Sequence, residues 1–105
     1  MIWYRNMYAS ENIAHKKERI KWKIKHNAGQ INIYVIALAA NPKNLLEIIP
    51  AIEMMQKAYP KKDMFIVGIA KGYEEAVDLI VQIIMEVYRA TDGFQVRDYF
   101  GIEQA

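Results

Sequence analysis

Two apolar runs, Gln30–Ala39 and Met64–Ala70, constrain most strongly what this chain can fold into. Both fall far short of the roughly 20 apolar residues that span a bilayer. Alternation puts Ile31, Ile33, Val35 and Ala37 on one side of the first run and Tyr34, Ile36 and Leu38 on the other. In the second, Phe65, Val67 and Ile69 oppose Met64, Ile66 and Ala70. A run that is apolar on both faces reads as a central strand covered from both sides. Each run leads into a loop with one lysine and then a stretch of helical periodicity about 15 residues long. Strand, helix, strand, helix calls for parallel pairing through right-handed crossovers. Both loops then lie at the carboxyl ends of strands, where open α/β sheets bind ligands.

The first of those helices is capped by Asn41 with Pro42 at its first position, where a missing amide hydrogen costs nothing. Leu45, Ile48, Ile49, Ile52 and Met55 form its apolar stripe, and Pro50 bends it. The second runs from Tyr73 to Arg89 and aligns Val77, Ile80, Val81, Ile84, Val87 and Tyr88. Thr91-Asp92-Gly93 ends it, and Phe94–Phe100 reads as a short closing strand.

The amino-terminal third admits two readings. In one, Ser10 caps a short helix over Glu11–Lys17. Arg19–Lys25 is then a half-buried strand, with Ile20, Trp22 and Ile24 inward and Arg19, Lys21, Lys23 and Lys25 outward. His26-Asn27-Ala28-Gly29 turns that strand into the next as a β-hairpin. In the other, one helix from Glu11 to His26 aligns Ile13, Ile20 and Ile24 and ends at Gly29. The hairpin is preferred because it keeps Trp22 beside the isoleucines. The expected fold is a compact α/β domain of two or three layers over residues 1–105. Its order is ββαβαβ after a peripheral segment 1–18, and its mixed sheet is mainly parallel.

With 105 residues, one core and one domain are expected. An apolar content of 53% exceeds what so small a core absorbs, and the surplus points to a homodimer. The chain contains no cysteine. Disulfides and thiolate chemistry are therefore excluded, and a reducing cytoplasm is the expected setting. The amino terminus lacks the basic, apolar and small-residue order of a secretory signal, and membrane insertion is not expected.

Charge is uneven. Residues 1–30 hold seven Lys/Arg against two acids, a net +5, while the remainder holds seven against ten, a net −3. Arg19, Lys21, Lys23 and Lys25 on one strand would face the same way at about 6.6 Å intervals. That arrangement can track a nucleic-acid backbone, with Lys16 and Lys17 assisting. The competing explanation is that these lysines protect a sheet edge.

The two crossover loops form a second candidate, an anion site for a phosphorylated small molecule. Helix amino termini offer free N–H groups; Asn41 caps one of them, Lys43 and Lys71 supply charge, and Gly72 permits close backbone approach. Glu74 and Glu75 compete for the same amides. No dinucleotide fingerprint or phosphate-binding Gly-Lys-Ser/Thr loop is present.

His15 and His26 are the only histidines and have no carboxylate pair at ligand spacing, so no metal is expected. Asp63, Asp78, Asp98, Glu53 and Glu86 sit away from the carboxyl ends of the expected strands, and Ser10, the sole serine, lies in the terminal segment. Tyr4, Tyr8, Tyr73, Tyr88 and Tyr99 suit an interface or core. The sequence therefore reads as a non-enzymatic binding or regulatory module acting as a homodimer, without a cofactor. A phosphate-ligand domain or enzyme and a nucleic-acid binder are the alternatives.

Overall fold

A computed structural model describes residues 1–39, 44–56, 59 and 63–101. Among the described residues four strands, β1 (Ile2–Ala9), β2 (Ile33–Leu38), β3 (Leu46–Pro50) and β4 (Phe65–Lys71), form one sheet in the order β1-β4-β2-β3. Only β1 and β4 run parallel; β2 is antiparallel to both β3 and β4. The sheet is thus mixed and mostly antiparallel, which overturns the mainly parallel ββαβαβ arrangement.

The cause lies in residues 45–55. Their apolar spacing suits a helix, but Pro50 inside a helix would remove a hydrogen bond and clash with the preceding turn, at a cost of about 3 kcal/mol. At the end of an outer strand it is tolerated, and β-branched Ile48 and Ile49 favour the extended form. The chain therefore turns back from β2 into β3, with Val35 opposite Ile49 and Ala37 opposite Glu47. A 3-10 helix over Ala51–Met55 follows.

The hairpin reading of residues 19–25 also fails, and its helical rival holds in part: the stretch is helical, but in two segments that end at Lys25 instead of one helix reaching Gly29. A 3-10 helix over Glu11–Lys16 passes into α1 (Lys17–Lys25). Lys, Arg and Glu are good helix formers, and one helical stripe buries Ile13, Ile20 and Ile24 together. Trp22 turns away to solvent at 58% exposure. Ser10 makes no side-chain cap; its hydroxyl instead accepts the Lys71 amide at 3.2 Å and ties β1 to β4. The closing segment is helical as well: α3 (Val96–Phe100) places Val96 and Phe100 one turn apart, both buried.

Strand β1 has period-two alternation that the sequence reading passed over. Met1, Trp3, Met7 and Ala9 join the core beneath α1, whereas Tyr4 and Tyr8 join the core beneath α2 (Tyr73–Thr91) and α3. The sheet is therefore the middle of three layers. Strand β2 alternates as expected, but β4 switches parity: Ile66 and Ile69 share one face, and Phe65, Val67 and Ala70 the other. A register shift between the Ile36–Gly68 and Ala37–Ile66 pairs accounts for the switch, because an extra residue in one strand reverses the facing of those beyond it.

At Gly68, an added Cβ would lie 3.4 Å from Leu79 of α2 and from Tyr8 of β1. Alanine fits at ordinary contact distance and restricts the unfolded chain, so Gly68→Ala is expected to leave stability within about 0.5 kcal/mol. The branched side chain of Gly68→Val drives into both neighbours and is expected to cost about 1–3 kcal/mol. Urea denaturation of the two variants checks the contrast.

Candidate functional site

Three regions could carry function: the β4–α2 turn, the α1 surface, and the flank of α2 that does not rest on the sheet.

At the turn, Gly72 has φ +84 and ψ 149, a conformation essentially reserved for glycine. Its amide donates to the Asn32 carbonyl at 2.7 Å, and its own carbonyl accepts the Ala76 amide at 3.1 Å to open α2. A recess of about 640 Å³ lies here, lined by Asn12, Asn32, Lys71, Gly72, Tyr73, Glu74 and Glu75. Asn12 donates through Nδ2 to Glu75 Oε2, while Glu75 Oε1 is buried with no hydrogen-bond partner among the described residues. Among the described residues, two carboxylates thus share the recess with one lysine.

Lys71 and Gly72 are adjacent in that turn, as the sequence implies. Asn41 and Lys43 lie outside the described residues. Because Ile33 pairs with Lys71, the carboxyl ends of β2 and β4 point to opposite ends of the sheet. The common end assumed for the two lysine loops is absent from this topology.

On α1, the four basic residues do not form one row. Arg19 and Lys25 are exposed, Lys21 and Lys23 half-buried. Lys21 Nζ stands 5.5 Å from the centre of the Trp3 ring, a cation–π distance, and Lys17 donates to the Met7 carbonyl at 3.3 Å. Trp22 stacks on His26 with ring centroids 4.1 Å apart and 24° between planes. This exposed aromatic pair was hidden by the strand reading; the i, i+4 spacing of Trp22 and His26 is the signal that could have revealed it.

The tyrosines singled out from the sequence divide into two groups. Tyr8 donates to Glu86 Oε1 at 2.7 Å and meets the Tyr99 hydroxyl at 2.9 Å, joining β1, α2 and α3. Gln82 donates to the other Glu86 oxygen at 3.2 Å. Burial, then the hydrogen bonds to Tyr99 and Glu86, push the Tyr8 phenol well above its ordinary value of 10.0. The folded protein therefore holds this proton where the unfolded chain releases it. The associated stability is fully present below pH about 10 and declines as pH rises further. Tyr8→Phe is expected to flatten that alkaline decline and to lower stability at neutral pH by about 1–2 kcal/mol, both measurable by urea denaturation between pH 7 and 11. Tyr73 and Tyr88 belong to the other group, on the outer flank of α2, where they meet Tyr34 and Phe94 edge-on or tilted.

Among the remaining candidates, Glu86 is held in this network, Asp78 lines a groove of about 310 Å³ with Ser10, Asn12 and Gln82, and Asp63, Asp98 and Glu53 are exposed. The described residues contain no group of three His, Asp or Glu placed to hold a metal ion, and no helix among them is long and apolar enough to cross a membrane.

The third region follows from how α2 is seated. Its buried residues are Ala76, Leu79, Ile83 and Val87. Of the stripe expected from sequence, only Val87 is among them. Val77, Val81 and Tyr88 are 38%, 53% and 50% exposed, and Tyr73, Met85 and Phe94 are exposed beside them. Ile80 and Ile84 are half-buried, as are Tyr34, Leu46 and Ile48 on the sheet below.

No known family model, curated protein or solved structure matches the chain.

Proposed function

We propose that this chain is a binding module whose working form is a homodimer, with the outer flank of α2 as the contact. The observation that carries the reading is the order of residues along that flank. At about 100° per residue, Tyr73, Val77, Ile80, Val81, Ile84 and Tyr88 fall within an arc about 100° wide. Their sequence is nearly its own mirror image about the point between Ile80 and Val81. Tyr73 mirrors Tyr88, Val77 mirrors Ile84, and Ile80 mirrors Val81.

Two such helices laid antiparallel about a two-fold axis bring each tyrosine against the opposite tyrosine, and valine against isoleucine. This is the self-complementarity that an isologous dimer requires. The patch is about 22 Å long at 1.5 Å per residue, and Leu46, Ile48 and Tyr34 widen it. Scattered single apolar residues need no partner, but a contiguous apolar strip of this kind marks an interaction surface.

Light scattering at micromolar concentration tests the reading. The expected mass is twice the 12.2 kDa of the chain. A mass of one chain up to about 100 μM would remove its support.

A further inference from the structure

Helix α1 presents a surface of different chemistry on the opposite side of the sheet. With Ile20 and Ile24 committed to the core, Trp22 stands at the crest of the helix. One of its ring faces is stacked on His26, and the side chain stays 58% exposed. His26 Nδ1 lies 2.8 Å from the Trp22 carbonyl, which holds the imidazole beside the indole. Arg19 and Lys25, three residues before and after Trp22, are both exposed, with Glu18 the acid nearby.

Residues 11–25 carry six Lys/Arg against Glu11 and Glu18, whereas α2 carries Glu74, Glu75, Asp78 and Glu86 against Arg89. The sheet therefore separates a basic layer from an acidic one.

We propose that the α1 crest binds single-stranded nucleic acid, a base extending the His26–Trp22 stack and phosphates meeting Arg19 and Lys25. Two features support this occupant together. Sequence-tolerant recognition of single strands combines a basic track with an aromatic platform for the bases, and here both lie on one helical face. An anionic membrane suits the site less well. A helix lies in a membrane by inserting its apolar side, and that side of α1 is buried against the sheet. The proposal is independent of the dimer, since α1 and α2 occupy opposite faces.

The test uses the full chain with fluorescein-labelled dT15 and rU15, followed by anisotropy and tryptophan emission. Binding is expected at about 50 mM salt and should weaken with salt, with a log–log slope of about −0.7 per phosphate. Trp22→Ala is expected to lower affinity about 5- to 150-fold, as loss of one stacked base does, while Trp22→Phe retains most of it. Replacing Arg19 and Lys25 together by alanine should flatten the salt slope, and circular dichroism should show all the variants folded. Three results would overturn the proposal: no retention of either oligonucleotide at about 50 mM salt; affinity unchanged in Trp22→Ala; or tryptophan emission that responds to phosphatidylserine vesicles and not to oligonucleotides.

Discussion

Val81→Glu is expected to shift the proposed dimer to monomer at micromolar concentration in light scattering. The substituted carboxylate stands next to the proposed two-fold axis, so dimerisation would bury two of them facing each other. An uncompensated buried charge costs about 3–5 kcal/mol. At 1.4 kcal/mol per factor of ten, the dissociation constant rises by more than about 100-fold. The monomer itself should be unharmed, because Val81 is 53% exposed and glutamate is a better helix former than valine. Loss of the dimer with an unchanged circular dichroism spectrum is the expected pair of observations.

The second large effect is expected from Ile83→Ala. Ile83 is fully buried and lies with Leu79 and Val87 on the seam that seats α2 on the sheet. Truncating it leaves a cavity that the surrounding strands cannot close, at a cost of about 2–5 kcal/mol. For a domain of this size that corresponds to a drop in Tm of about 10–30 °C. Ile52→Ala removes the same atoms from a side chain 57% exposed and should change stability by less than about 0.5 kcal/mol. Thermal melts of the two variants side by side separate burial from side-chain identity.

What the sequence displayed, and what it concealed, follows from the reach of each signal. The existence and type of β2, β4 and α2 were legible because their apolar residues repeat over a whole element, and such a repeat is a local property; which of those residues face the core in β4 and α2 was not. The direction of pairing was not. Whether β2 and β4 run parallel depends on what residues 45–55 do between them, and there a helical spacing of Leu45, Ile48, Ile49 and Ile52 competes with Pro50 and two β-branched residues. The extended form prevailed, and the sheet reversed. Arg19–Lys25 posed the opposite problem: its strict alternation imitates a strand, yet Ile13, Ile20 and Ile24 gain more from a shared helical stripe. Strand β1 escaped notice because polar Arg5 and Asn6 interrupt it, and β1 itself breaks register there, advancing from Trp3 to Tyr8 while β4 advances only from Ile66 to Gly68.

The candidate sites depended on the same long-range facts. Lys71 and Gly72 do form a turn before α2, but a shared cleft with the loop after β2 required the parallel sheet. The stripe on α2 was recognised as apolar, and its burial was misassigned. An apolar arc this broad has two sides, and only tertiary structure tells which one the sheet takes. The exposed side, Tyr73 to Tyr88, is the proposed dimer contact.

Cross-linking tests that pairing most directly, because a chain without cysteine allows one engineered thiol to report on one contact. In an antiparallel α2 pair, position 81 lies beside its own copy, within the Cα separation below about 7 Å that a disulfide needs. Val81→Cys under mild oxidation is expected to give a nearly complete dimer on a non-reducing gel. Ile52→Cys, equally exposed but on the other side of the sheet's layers, is expected to stay monomeric. Cross-linking of Val81→Cys no faster than that of Ile52→Cys would contradict the α2 interface.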